Sequence, residues 1–336
     1  MIAKDDIADL VYGFMVDHEV IGPVAKGDDF VFAPIDKASE LRLDYDTTLL
    51  PPKKFFLPPK EQLMEFSVVD GEAISSLEPA VPRVIFGLHT CDLNGLLLLD
   101  NVFLSGYEDP YYKTRRDNTL LVGVSCTPQD TCFCNSFGTD ESYRGFDIFL
   151  TDLGDRYFAS VRSIQGADLI DHHVETRMVT DEDVADFQRV TNEFKGSFAR
   201  NVDTSQLPLL LDAKFNDPLW EELGDRCLSC GACSMVCPTC YCFDVKDELA
   251  ANGDEGTRSR NWDSCMFHEF AEVAQRHNFR GSRASRVKYR YYHKQWGYLS
   301  KFEKVLCVGC ARCERACKAD INPAVVIEAL QAKGSE

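Results

Sequence analysis

Two cysteine runs constrain this chain more than any other feature: Cys227-Leu-Ser-Cys230-Gly-Ala-Cys233-Ser-Met-Val-Cys237-Pro238 and Cys307-Val-Gly-Cys310-Ala-Arg-Cys313-Glu-Arg-Ala-Cys317. Both read Cys-x2-Cys-x2-Cys-x3-Cys, the spacing that holds cubane [4Fe-4S] clusters. Three thiolates at intervals of three lie on a loop tight enough to grip three corners of one cubane, while the fourth points away and ligates the other cluster of a pair. The spacing therefore assigns Cys227, Cys230, Cys233 and Cys317 to one cluster, and Cys307, Cys310, Cys313 and Cys237 to a second. Zinc and disulfides are the plainer alternatives, but zinc sites use separated Cys-x2-Cys pairs and have no need of a third cysteine in register.

At 336 residues and 45% apolar composition the chain is long enough for two domains with real cores. Fifteen cysteines would suit a disulfide scaffold only in a much shorter secreted chain, and Met1-Ile2-Ala3-Lys4-Asp5-Asp6 carries acids where a signal peptide would be apolar. The expectation is a cytoplasmic protein with reduced cysteines. The best apolar run, Leu96 to Leu99, is cut short by Asp100, far below the roughly 20 residues of a membrane span, so no direct membrane insertion is expected.

The formal charge of −18 is uneven: residues 1–214 hold 19 Lys and Arg against 37 Asp and Glu, whereas residues 215–336 hold 17 of each. A surface of that sign repels phosphate backbones, which excludes nucleic acid as the expected partner. Arg276 to Lys304 is nevertheless basic, with Glu303 its only acid, and interleaves Tyr289, Tyr291, Tyr292, Trp296 and Tyr298. Its position between the two cysteine runs favours compensation of anionic clusters over nucleic-acid binding or a merely solvated helix face.

Ile7, Leu10, Val11, Phe14 and Met15 recur at helical spacing, and a hairpin-like stretch turns at Gly27-Asp28-Asp29 into Phe30 to Ile35. The proline-rich Leu49 to Lys60 reads as a surface loop with a docked Phe pair. Arg83 to Leu88 and Leu120 to Val124 read as buried strands; the first breaks at His89-Thr90-Cys91-Asp92 into a helix over Leu93 to Phe103, with Thr90 or Asp92 as N-cap. Further strands are expected at Phe146 to Leu150 and Tyr157 to Val161, and a long helix carries Val184, Phe187, Val190, Phe194 and Phe198 with Thr180 as cap. Continuous apolar strands with helical connections predict a mixed, partly parallel α/β domain over residues 1–205. Residues 206–336 then form an α-helical, ferredoxin-like dicluster domain, entered through Asp217-Pro218 as a helix start.

The strand reading has a chemical consequence. Cys91 follows one predicted strand, and Cys126, Cys132 and Cys134 follow the other, where ligand crevices of open α/β sheets form. These four thiols are the candidate ligands of a third [4Fe-4S] cluster; the alternative is four small buried hydrophobes. Cys126-x5-Cys132 superficially resembles a sirohaem signature, but the Cys-x3-Cys pairs that would complete it already belong to the cluster runs. Cys240, Cys242 and Cys265 remain. Asp263 or His268 could complete a fourth site with them; packing around the dicluster, with one thiol bonded to a cluster sulfur, is the favoured account.

The combination resembles the iron–sulfur β subunits of cytoplasmic sulfhydrogenase-type nickel–iron hydrogenases and the A subunits of anaerobic sulfite reductase. The resemblance spans nearly the whole chain and rests on His89-Thr-Cys91-Asp92 with Leu99-Asp100-x-x-Phe103, Thr131-Cys132-Phe133-Cys134-x-Ser136-x-Gly138-Thr139, the segment Cys237 to Val245, Trp262-Asp-Ser-Cys265 and the second cysteine run. His89-Thr90 stands where the family often has Arg-Pro, and Lys318 replaces a usual proline; neither change removes a ligand.

The resemblance implies an electron relay between a flavoprotein subunit that oxidises NAD(P)H and a terminal hydrogenase, sulfur-compound or heterodisulfide reductase subunit. The residues agree independently, since there is no Gly-x-Gly-x-x-Gly behind a strand, no Walker loop and no His-Glu-x-x-His, and no catalytic residue is assigned. The rival is an oxidoreductase holding a flavin or small substrate at the strand ends, with His89 or Asp92 in its site.

Overall fold

In the computed structural model, residues 1–332 are described. The chain opens with β1 (Ile2–Ala3) and α1 (Ile7–Met15), then the hairpin β2 (Glu19–Lys26) and β3 (Asp29–Pro34). Next come β4 (Lys60–Ser67), β5 (Ala73–Ser75), β6 (Arg83–Leu88), α2 (Thr90–Phe103), α3 (Pro110–Asp117), β7 (Thr119–Val124), β8 (Ile148–Asp152), β9 (Arg156–Val161), α4 (Ile164–His173) and α5 (Asp181–Gly196). A seven-stranded sheet runs in the order β1-β9-β8-β7-β6-β2-β3, with β2, β6, β7 and β8 parallel and the flanking pairs antiparallel.

Alternation along the central strands explains their unbroken apolar sequences. Val84, Phe86, Val122 and Val124 pack under α1 and α4, while Ile85, Leu88 and Leu121 face α2 and α3. Both faces are covered, so polar alternation is absent. Thr180 and Asp183 form the capping box of α5, and Asp183 also receives Arg156 and Arg177, tying the helix to β9.

The C-terminal half supplies α6 (Leu207–Ala213), α7 (Leu219–Arg226), α8 (Ala232–Met235), β10 (Phe243–Leu249), β11 (Glu255–Trp262), α9 (Arg283–Tyr292), α10 (Leu299–Phe302), α11 (Arg312–Arg315) and α12 (Pro323–Ala332). At the start of α7 the Asp217 carboxylate accepts from Leu219 N at 2.9 Å, Pro218 rather than Asp217 being the N-cap. The helices share a core built on Trp220, Leu223, Val287, Tyr291 and Ile327. No described helix is long and apolar enough to cross a membrane.

Four details differ from the sequence reading. The β10–β11 hairpin was not anticipated, because every residue of β10 is exposed and no buried face imposes a pattern. β11 pairs with β4, so a second sheet, β10-β11-β4-β5, crosses the boundary placed near residue 205. The N-cap of α2 is His89 rather than Thr90 or Asp92, because the Asp92 carboxylate is drawn to Arg312 in the second cysteine run. Finally, the proline-rich segment is not wholly at the surface: Lys53 is 3% exposed, its ammonium donating to Cys240 O at 2.8 Å and lying over the Trp262 ring.

Candidate metal centres

The two cysteine runs fold alike for a backbone reason. In the first, Ser229 and Gly231 take left-handed φ of 52° and 74°; in the second, Gly309 and Ala311 take 64° and 54° at the matching positions. Alternating handedness turns successive N–H groups into a concavity that favours anions, as at many iron–sulfur sites. A one-turn helix, α8 or α11, then carries the third cysteine of each run, and the fourth follows it.

The thiols gather as the spacing grouped them. Cys227, Cys230, Cys233 and Cys317 line one cavity, and Cys237, Cys307, Cys310 and Cys313 line its neighbour. Cys313, Arg290 and Tyr291 border both cavities, so one wall separates them. Burial pushes the Cys313 thiol up to about 12 and raises those of Cys307 and Cys310, so these sulfurs bind iron only with loss of protons. Cys230, by contrast, is exposed.

Buried cations face these thiols. Arg290 is 6% exposed; its Nη2 donates to Cys233 O at 3.2 Å, while its Nε is buried with no partner among the described residues. An orphaned N–H on the wall between two thiol-lined cavities suits a sulfide acceptor on either side, so the residues fit cubane clusters. Lys294 donates to Cys237 Sγ at 3.2 Å and to Thr239 Oγ1 at 2.7 Å. Burial opposes the Lys294 charge, yet the thiols of Cys237, Cys240 and Cys307 raise its pKa above the ordinary lysine value. Of the aromatic side chains of this segment, Tyr291, Tyr292 and Tyr298 are buried in the core, whereas Tyr289 and Trp296 are exposed.

The third thiol group lies across an interface from the second. Cys91 sits in the first turn of α2, beyond the carboxyl end of β6, and Cys126, Cys132 and Cys134 follow β7. The Cys134 thiol lies close enough to those of Cys132 and Cys91 for its pKa to be raised, and Cys126 lies beside Cys91 and Cys132. The neighbouring Cys134 lowers the pKa of Cys132 to about 6 against its burial. Two hydrogen bonds, one backbone to backbone and one from a side-chain hydroxyl, join this loop to the second run: Phe133 N donates to Gly309 O at 2.9 Å, and Thr139 Oγ1 donates to Val308 O at 2.8 Å. Between the two groups lies Arg312, 2% exposed, whose guanidinium is 2.8 Å from the Asp92 carboxylate and 4.0 Å from Cys91 Sγ. His89 stacks on Tyr45 at 4.0 Å; burial, then Arg312, lower its pKa to about 3, so it is neutral.

The three leftover cysteines do not gather. Cys240 lies beside Cys237, and Cys242 beside Cys265. Asp263 accepts from Ser264 N, and His268 is half exposed beside Glu272. Among the described residues, no three His, Cys, Asp or Glu side chains converge tightly enough for a single metal ion. Sequence reasoning missed Lys53 and Arg312 as partners of the thiol groups. Lys53 is camouflaged by a proline-rich context, whereas Arg312, inside a cysteine run, carried a readable signal.

Residues 226–321 match the family model described as a 4Fe-4S dicluster domain. Over 313 residues the chain is 36% identical to sulfhydrogenase 2 subunit beta of Pyrococcus furiosus, covering 93% of this chain and 92% of that protein. No solved structure matches. With the thiol-lined cavities, these findings make the chain an iron–sulfur electron-transfer protein of the [4Fe-4S] class.

Proposed function

Because the chain belongs to the family of sulfhydrogenase beta subunits, we propose that it is the relay of a cytoplasmic multi-subunit complex, passing single electrons along three thiol groups. The observation that carries this reading is the contiguity of those groups. Cys227, Cys230, Cys233 and Cys317 share a wall with Cys237, Cys307, Cys310 and Cys313, and the charge of Cys91 is felt at Cys310 across Arg312. When bound, [4Fe-4S] clusters supply one-electron chemistry at potentials set by net charge, hydrogen bonding and burial.

The protein's own residues do the rest. Cys91, Cys126, Cys132 and Cys134 hold the third centre at the strand ends of an α/β domain of residues 1–205. Residues 206–336 hold the other two. Arg312, Lys294 and Arg290 place a buried cation beside each successive group, favouring the more negative, reduced state of each. Exposed Cys230 makes the first cavity one terminus of the path. One end receives electrons from, or returns them to, a flavoprotein that handles NAD(P)H. The other serves a hydrogenase, sulfur-compound or heterodisulfide reductase subunit, as in the family. Cys240, Cys242 and Cys265 pack around the dicluster as thiols.

The test is anaerobic spectroscopy of the purified chain. Dithionite is expected to bleach the cluster absorbance, while NADH or NADPH does so only after a flavoprotein partner is added. Direct reduction by NAD(P)H, or one equivalent of flavin released on denaturation, overturns the relay in favour of an oxidoreductase with its own site in the N-terminal domain.

A further inference from the structure

A groove opens where the carboxyl ends of β7 and β8 meet α5, and Cys126 of the third thiol group forms part of its lining. Its volume is about 1040 Å³, at the upper limit of the roughly 300–1,000 Å³ typical of small-molecule sites. Phe146, Phe149, Phe187 and Phe194 supply an aromatic floor, and Tyr143, 70% exposed, stands at the rim. Asp44, Asp46 and Asp140 also line it. Asp44 and Asp46 are exposed, and none of the three is ion paired among the described residues. Of the cations in the lining, Lys4 is held by Asp152 and Arg189 by Asp186 and Glu193, which leaves Arg162.

We infer that this groove is the docking surface for a protein partner that presents basic residues, and that electrons cross there to or from Cys126 and its neighbours. The inference rests on the relay reading above. Charge complementarity selects the occupant: three unneutralised carboxylates surround the mouth in the half of the chain that carries all of the −18 formal charge. A phosphate-bearing nucleotide cofactor meets repulsion there, whereas a cationic protein surface is steered in. Partly buried aromatic side chains, here Phe149, Phe187 and Phe194, beside a polar rim are the usual composition of an interface centre.

The probe is cytochrome c, a small basic haem protein, mixed with the dithionite-reduced, cluster-loaded full chain in a stopped-flow instrument. Oxidation of the chain is expected to slow steeply between about 10 mM and 150 mM salt, as the Debye length shrinks from about 30 Å to about 8 Å. Reversing Asp44→Lys, Asp46→Lys and Asp140→Lys together should lower the low-salt rate at least about tenfold and remove most of its salt dependence. The corresponding Asn triple variant should fall between. Three outcomes overturn the proposal: no effect of the triple reversal, an equal loss from Glu221→Lys, Glu222→Lys and Asp225→Lys on the exposed face of α7, or an equal loss with methyl viologen as the small dicationic acceptor. Iron content and electron paramagnetic resonance of the same samples separate the two readings. Loss of the third centre overturns the relay path whatever the salt dependence, while an intact third centre with unchanged rates overturns only the docking surface.

Discussion

The guanidinium of Arg312 grips the carboxylate of Asp92, with 2.8 Å between Nη1 and Oδ1 and side-chain exposures of 2% and 0%. This buried pair joins the second cysteine run to the first turn of α2, one residue from Cys91. Breaking it from one side strands a charge. Asp92→Asn or Arg312→Met should each destabilise the protein by about 3–5 kcal/mol. The double variant Asp92→Leu/Arg312→Met should cost less than the sum, in a double-mutant cycle read by denaturant midpoints.

Arg290 stands on the wall between the two C-terminal cavities. Reduction adds one negative charge to a cluster, and a buried cation beside it stabilises that state. Arg290→Gln should therefore shift the midpoint potential of at least one of the two centres downward, by on the order of 100 mV at an effective dielectric near 20. Lys301→Gln, at the exposed α10, should leave potentiometric titrations unchanged.

His89 and His293 are held neutral, mainly by burial, with pKa values lowered to about 3 and about 4. An unfolded histidine titrates near 6.5, so between about pH 4 and 6.5 the unfolded chain binds more protons than the folded one. The stability these groups contribute is complete above about pH 6.5 and is lost as the pH falls through that window. Chemical denaturation of the chain from pH 7.5 to 5 should show that decline, and His293→Gln should flatten it.

Gly309 has φ of 64°, and a Cβ there would lie 2.4 Å from Phe133 O. Its carbonyl also receives Phe133 N, so the third thiol loop rests on this glycine. Gly309→Ala should push the loop away and lower bound iron as well as stability. Gly138 has nearly the same φ, 61°, but open space where its Cβ would go. Gly138→Ala should therefore cost only the backbone penalty of about 1–2 kcal/mol and keep its iron, measured side by side.

Much of this architecture is legible in the residues. The strands at β6 and β7 announce themselves because both sheet faces are buried, and Thr180 announces α5 because a capping box needs its hydroxyl three residues before an acid. The first two thiol groups are legible because cubane geometry writes itself into short spacing. What could not be read arises from long-range contact. β10 has no buried face to impose alternation, and it exists because β11 pairs with β4 some 200 residues away. Likewise Asp92 looked like a helix cap because its partner, Arg312, is 220 residues distant. Lys53 gave no sign of burial, since only the folded chain brings it to Cys240 O and the Trp262 ring.

The central claim is that Cys91, Cys126, Cys132 and Cys134 hold a cluster of their own, making three centres in line. Iron and acid-labile sulfide analysis of anaerobically prepared protein, with electron paramagnetic resonance of the reduced state, tests it most directly. The account predicts about twelve iron and twelve sulfide ions per chain, four for each cubane, falling to about eight in Cys132→Ser with one set of signals lost. About eight in the unaltered protein, with signals indifferent to Cys132→Ser, contradicts it.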